Sequence, residues 1–540
     1  MSSSGPILSS TSDSAPDLAP DSASNSASDL PPVSAPELPP DSGSASPPAS
    51  APDLPPDPTP GSPPASASDL PPAAATDFPP APVAKGKSRS PRLLPLTIAL
   101  SLVLWIIVAT GGRQVFIKEV LGEAFDSQAD HLLRGDSGVD ANAIQNETII
   151  VKGRTFMYFG PFPAFVRIPL HYIYPAGRGS WSRISGFCAG VIALAGFAGL
   201  IRRGLSSSRL STRWRNWIGN ACLLAFVFGS PLLLLIGNLS IYHEAILWGF
   251  AWSFAAVYYA YRSRTAEGRK LTRSLLFFSL CGGAALLSRV TFGAPFLLVA
   301  PVLALPLLRK DRRIRNLAAL FLPLGAAFLF YVAFNYAKFG NPTGPDLKGY
   351  VNWIQRDFAE KHGVFDLRRV PYSFADYFYL RRPEPQPKAP FVITRQAAYD
   401  HPDLYVMPFT QTYSSLVWCS PWVLLGAFGG ILLLLWPKSS DGVYLGIAVG
   451  LFAEVIVILA FMGLAQRYTA EFFPFLVFCF VLFLQKGGTA LLRLRYALIG
   501  LIVISVVINS LTTTSWHSND PYTPLETRTF WNRLIGRPPP

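Results

Sequence analysis

Cysteine is scarce, with five in 540 residues, and no two are spaced as C-x-x-C or as any other metal-binding pair. Cys188, Cys222, Cys281 and Cys479 fall inside apolar runs, where cysteine behaves as a small hydrophobe, and Cys419 lies near the end of another run. A disulfide framework and a thiolate zinc module are therefore not expected. Also missing are a glycine-rich phosphate loop, an H-E-x-x-H zinc motif and a nucleophile elbow, which removes the enzyme classes built on them. Residues 1–84 lack lysine and arginine altogether and hold ten acidic residues. No basic start followed by an apolar core occurs near Met1, so a cleaved signal peptide is not expected.

What the chain has in abundance is apolar length. Half of its residues are hydrophobic, gathered in runs that recur from residue 94 to residue 511. A bilayer core of about 30 Å asks for roughly 17–25 apolar residues per helix, and no soluble core accommodates so many such runs. The expected class is an all-α polytopic membrane protein of about eleven transmembrane helices. They are expected near 94–110, 183–201, 217–237, 243–261, 274–289, 293–308, 316–337, 416–436, 443–463, 469–485 and 495–511.

The first 93 residues read differently. "SAPDLAPDSAS", "SAPELPPDSGSAS" and "SAPDLPPDPTP" are variants of one phrase rich in Pro, Ser, Ala and Asp. A segment with so little to bury cannot offset its ordering entropy. It is expected as a disordered tail, a spacer or a partner-binding arm. Residues 85–540 hold all 46 basic and 23 of the 33 acidic residues, a net charge of +23. In a polytopic protein such a surplus is read first as topology. The basic knot at 85–92 precedes the first run. "RRGLSSSRLSTRWR", "YRSRTAEGRKLTR", "RKDRRIR" and "QKGGTALLRLR" then fall on one side of an alternating count. That side is expected to be cytoplasmic with the N-terminus. Loops 111–182 and 338–415 and a C-terminal tail, 512–540, are expected to be external. The six histidines (131, 171, 243, 362, 401 and 517) all lie in or beside those external segments.

The densest charge cluster, "FDSQADHLLRGD" at 125–136, follows the first run. Asp126, Asp130 and Arg134 recur four apart, on one face of an amphipathic helix. A charged group at a bilayer surface is solvated, paired or used. A solvated loop helix is the plain alternative, and an i,i+4 pair with Arg134 is the plain reading of Asp130. Farther on, "TIIVKGRTFMYFGPFPAFVRIP" reads as two strand-like runs about a Lys-Gly turn. An aromatic wall of Tyr158, Phe159 and Phe162 follows.

"FDSQADHLLRG", "VKGRTFMYFGPFPAFVRIP", "YHEAILWG", "NYAKFGNPTG" and "QRYTAEFFPFL" resemble the GT-C superfamily of polytopic membrane glycosyltransferases, within a largely uncharacterised bacterial branch. The resemblance spans roughly residues 94–510. It implies transfer of a sugar from a polyprenyl-phosphate donor to an acceptor glycan, lipid or protein on the external face of a bacterial inner membrane. Inversion would follow from a single displacement. The first loop has no adjacent Asp-Asp or Asp-Glu pair, and the sequence indicates no cofactor and no divalent cation.

Such transfer needs a base for a poorly nucleophilic hydroxyl, an in-line acceptor and positive charge on the departing phosphate. Asp126 is the expected base by its place in the resembling motif, with Asp130 second and Glu123 and Asp136 weaker. Arg467, Arg289 and Lys338, at helix ends, are candidates for the phosphate; snorkelling to headgroups is their alternative. Tyr158, Tyr468, His243 and Glu244 are candidates for substrate contact. Interfacial anchoring is the alternative for the tyrosines, and helix capping for His243 and Glu244. Asn146 and Asn238 match glycosylation sequons without meaning in a bacterial setting. The rival readings are a lipid or glycan transporter or flippase and a non-catalytic scaffold. A transporter would place ionisable groups at mid-membrane, where Glu454 is the clearest case. No nucleic-acid partner is expected.

Overall fold

The structure is a computed structural model that describes residues 91–308, 313–394, 401–406, 414–436 and 441–540. The expectation for the N-terminal tail lies outside the described residues apart from its last three positions.

Helices form where the apolar runs lie. Seven described helices are long and apolar enough to cross a membrane: Ser182–Ser206, Gly268–Ser288, Val290–Leu307, Arg313–Phe339, Gly442–Leu459, Gln466–Lys486 and Ala490–Asn519. An eighth span results if Thr212–Phe228 and Pro231–Gly237, bent by 42° at their junction, count as one. Leu94–Val108 and Pro421–Leu435 are apolar but shorter. Ile241–Ser263 is long, but its His243, Glu244, Tyr and Arg residues dilute its apolar character. The expected eleven thus becomes seven or eight by length and composition. Counting apolar runs does not register a short helix, a break or a polar face. The break after Phe228 has a local cause. Ser230 accepts a hydrogen bond from the Leu232 amide and Pro231 opens the next helix, the usual device for a helix start.

Ile241–Ser263 packs between Ser182–Ser206 and Gly268–Ser288, and Phe473–Lys486 packs along Pro421–Leu435. Phe197, Phe226, Phe250, Phe254 and Trp422 interlock at the centre, Phe197 stacking on Phe226 at 4.1 Å. Phe473–Lys486 is buried along almost its whole length, whereas Arg313–Phe339 leaves most of its surface open. The first sits in the middle of the bundle and the second at its rim.

One end of the bundle carries two large connections. In the first, helix Ala124–Leu133 leads to an antiparallel hairpin, Ile149–Val151 with Arg154–Phe156. Lys152 (φ 50°) and Gly153 (φ 76°) turn it, the backbone that two-residue hairpins favour. Helix Phe162–Ile173 follows. The second connection includes helices Trp353–His362 and Val370–Ala375. It is strapped to the first by the Val351 amide donating to the Thr148 carbonyl (2.9 Å) and by a bridge from Ile149 to Tyr350. Gly349 makes this approach feasible, because a Cβ there would stand 2.1 Å from the Ile150 carbonyl oxygen. Arg369 is fully buried and donates to the carbonyls of His362, Gly363, Val364, Leu404 and Ala460. It thereby fastens the second connection to the end of helix Gly442–Leu459.

Residues 512–540, expected as a tail, are folded. Helix Gly488–Asn519 runs through the first of them, and helix Leu525–Leu534 docks back. Trp531 donates to the Gly237 carbonyl (3.2 Å), and Asn238 donates to Thr523 (3.0 Å).

Candidate functional site

Helix Ala124–Leu133 buries the face that carries Asp126. Phe125 is fully buried against Phe159 (centroids 6.1 Å), and Asp126 is 4% exposed. Oδ1 of Asp126 lies 2.6 Å from Nε2 of His171, which comes from helix Phe162–Ile173. The other imidazole nitrogen, Nδ1, faces Asp130 at 3.2 Å. One imidazole is held between two carboxylates one helical turn apart. Oδ2 of Asp126 is buried and has no hydrogen-bond partner among the described residues. The expected Asp130–Arg134 pair does not form. Asp130 turns instead to His171 and to Arg178 (3.1 Å), and Arg134 stays exposed past the helix end. An i,i+4 pair is worth only a few tenths of a kcal/mol, and an imidazole in a drier place is the better partner.

Beside this group lies a second buried network. Arg167 and Glu244 are fully buried and pair at 2.7 Å, with Ser182 and Ser185 completing the shell. Glu244, expected either to touch substrate or to cap its helix, is the counter-ion of Arg167. His243 points Nδ1 at the Asn238 carbonyl (2.6 Å) and is buried. The weaker candidates are also accounted for. Asp136 joins His131 and Arg154 at the foot of the hairpin, and Glu123 pairs with Lys118.

The remaining candidates converge. Gly160 passes the end of helix Gly268–Ser288 so closely that a Cβ would stand 2.1 Å from the Leu287 carbonyl oxygen. That contact brings Tyr158 and Phe159 to the side of Arg289. Arg289 donates through Nε to Glu471 (2.7 Å) and lies over the Tyr468 ring at 5.5 Å. Arg467 lies over Tyr468 at 4.9 Å and over Tyr242 at 5.0 Å. Phe159 stacks on Tyr158 (4.3 Å) and meets Tyr242 (5.8 Å). A chain of ring contacts therefore runs from Phe125, the neighbour of Asp126, through Phe159 and Tyr242 to Arg467. Arg289, Arg467, Tyr242 and Tyr468 are half-buried and Tyr158 is 37% exposed. Glu471 and Glu147 behind them are buried. The open side of the cluster is thus cationic and aromatic, and its carboxylates are withdrawn. Lys338 is buried with its ammonium 4.9 Å from the Phe334 and Phe339 rings, and it makes no ion pair among the described residues. Phe339 reaches Phe156 of the hairpin (5.9 Å), so Lys338 flanks the same end.

Glu147, Arg167, His171, Tyr242, Tyr350 and Glu471 belong to this region and were not nominated from sequence. Arg167 had a readable signal, a lone arginine in the apolar stretch "FPAFVRIP". Glu147 had none, because its neighbours present it as part of a sequon. No group of three or more His, Cys, Asp or Glu side chains among the described residues is arranged to hold a metal ion.

No family model matches the chain. No curated protein matches it either. Among solved structures it is similar to an archaeal oligosaccharyltransferase, AglB from Archaeoglobus fulgidus in complex with an inhibitory peptide and a dolichol-phosphate. The identity is 14% and the TM-score 0.43, over 82% of this chain and 60% of that one. It is also similar to ArnT from Cupriavidus metallidurans in the apo state, at 12% identity and TM-score 0.31, over 82% and 84% of the two chains. The chain spans about 60% of the oligosaccharyltransferase's length.

Proposed function

We propose that the chain is a membrane glycosyltransferase of a bacterial GT-C branch. In this reading it moves a sugar from a polyprenyl-phosphate donor to an acceptor on the external face of the inner membrane, with inversion. The observation that carries it is the half-open surface of Arg289, Arg467, Tyr158, Tyr242 and Tyr468, joined by packed rings to the Asp126–His171 pair.

Each part has a chemical task. Arg467 and Arg289 meet the lipid phosphate, for which guanidinium offers paired donors, and Lys338 adds a point charge nearby. The tyrosine rings offer flat faces to sugar or prenyl chain. Asp126 takes the proton of the acceptor hydroxyl through Oδ2, while His171 holds Oδ1 and is itself held by Asp130. The hydroxyl oxygen forms its bond to the anomeric carbon as the bond to the phosphate oxygen breaks, and the electron pair leaves with the polyprenyl phosphate. The N-terminus is cytoplasmic and the two large connections and the C-terminus are external in this reading.

Cells lacking the chain test it. Their lipid extracts should accumulate one polyprenyl-phosphate sugar, relative to cells that carry it. An unchanged pool of lipid-linked sugars would overturn the assignment. Transport is the second reading, and two observations favour it: the bent pair Thr212–Phe228 and Pro231–Gly237, and Glu454, buried in helix Gly442–Leu459 with neither carboxylate oxygen hydrogen-bonded among the described residues. A pool constant in size but shifted between leaflets would support that reading.

A further inference from the structure

Glu147 takes no part in the steps above, yet it is held by hydroxyls from two different connections. It is 6% exposed and closes the short 3-10 turn that leads into the hairpin. Oε2 accepts from the Tyr158 hydroxyl (3.0 Å) and from Tyr350, and the Tyr242 phenol lies beside the carboxylate. These phenols come from the first connection, from the second connection and from helix Ile241–Ser263. Burial first, and the Glu147 charge second, push the Tyr350 phenol far above the usual tyrosine range, so it stays a donor. Bonds of this kind, to an ionised acceptor, are roughly twice as strong as neutral ones. Arg467 lies over the ring of Tyr242 at 5.0 Å.

We propose that Glu147 is a positioning residue for the donor-phosphate site: it fixes Tyr242 beneath Arg467 and Tyr158 beside it, and through Tyr350 it fastens the second connection over the first. This rests on Arg467 as the phosphate ligand. Each of the three phenols around Glu147 has a separate task. Tyr242 sets where the guanidinium sits. Tyr158 sets the half-exposed ring at the rim. Tyr350 adds a side-chain tie beside the backbone strap at Thr148 and Ile149.

The test uses the full chain in lipid nanodiscs, with polyprenyl monophosphate as the probe and melting temperature measured alongside. Wild type should bind the probe. Glu147→Ala should bind it about tenfold or more weakly, the scale of a lost bond to a charged group. Glu147→Gln keeps an acceptor oxygen and should recover part of that loss. Tyr242→Phe keeps the ring and removes only the hydroxyl beside Glu147, so it should weaken binding in the same direction at unchanged melting temperature. This variant carries the test if Glu147→Ala does not fold. Binding within twofold of wild type in both Tyr242→Phe and Glu147→Gln would overturn the positioning role and leave Arg467 as the phosphate ligand. Failure of wild type itself to bind polyprenyl monophosphate would remove the Arg467 reading and the proposal with it.

Discussion

The two ends of the bundle use the same residue types in opposite ways. Where helix Ser182–Ser206 meets Thr212–Phe228, and where Ile241–Ser263 meets Gly268–Ser288, Arg202, Arg209, Arg213, Arg269, Lys270 and Arg273 stand in the open. At the other end Arg167, Arg183 and Arg369 are fully or almost fully buried, and each is committed. Arg167 pairs with Glu244. Arg183 pairs with Glu119 (2.8 Å) and donates to the Val108 and Gln114 carbonyls, and Arg369 gathers five carbonyls. A charge in solvent costs little and orients the chain in the membrane. A buried charge is costly unless fully partnered, and at this end the cost is met by networks that join loops distant in sequence. The difference teaches where shape matters. One end needs only positive charge. The other needs particular partners at particular distances, as a site does.

The comparison can be broken most completely by topology. Cysteine introduced at Ser137 or Lys388 should react with an impermeant thiol reagent added from outside, and at Ser207 it should not; the three labelling outcomes reversed would put the site on the wrong face. Next in size is the contrast in stability. Arg167→Ala strands Glu244 and should cost about 3–5 kcal/mol, the range for breaking a buried pair. Arg202→Ala should stay within about 0.5 kcal/mol, as surface changes do. Equal melting temperatures in detergent for the two variants would erase the distinction between the ends. Smaller is the effect of Arg467→Ala on donor affinity, about 10- to 100-fold for a lost charged hydrogen bond, with melting temperature nearly unchanged. An unaltered affinity would leave Arg467 as an interfacial anchor. Smallest is Asp130→Asn, which loosens one side of His171 while Asp126 still holds the other. It should slow transfer by no more than about tenfold, the range for one ordinary hydrogen bond. A complete loss would move the base from Asp126 to Asp130.

What sequence could foresee followed the range of the interaction involved. The hairpin was legible because Lys152 and Gly153 decide it locally. Helices were legible as apolar runs, but their number was not, since Ile241–Ser263 and the break at Gly229 and Ser230 mix polar and apolar positions. Tyr158, Arg289, Arg467 and Tyr468 were each nominated singly. Their meeting depends on Gly160 passing Leu287, a contact between residues more than a hundred positions apart. Glu147 was invisible for the same reason: its partners Tyr242 and Tyr350 are distant in the chain, and nothing near it in sequence marks it. Asp130 was misread toward Arg134 because the local partner is the one that periodicity displays. The partners it takes, His171 and Arg178, lie some forty residues on.

The most direct test of the account is Asp126→Asn, expressed in cells that lack the native chain. Asparagine keeps the shape of the side chain and cannot take a proton, and general-base catalysis contributes about 10²–10⁴ in rate. The account predicts that the variant reaches the membrane at wild-type level, melts within a few degrees of wild type as an order-of-magnitude expectation for a near-isosteric change, and accumulates the same polyprenyl-phosphate sugar as cells with no chain at all. A variant that clears that donor at the wild-type rate would contradict it, and Asp126 with His171 would then be part of the scaffold alone.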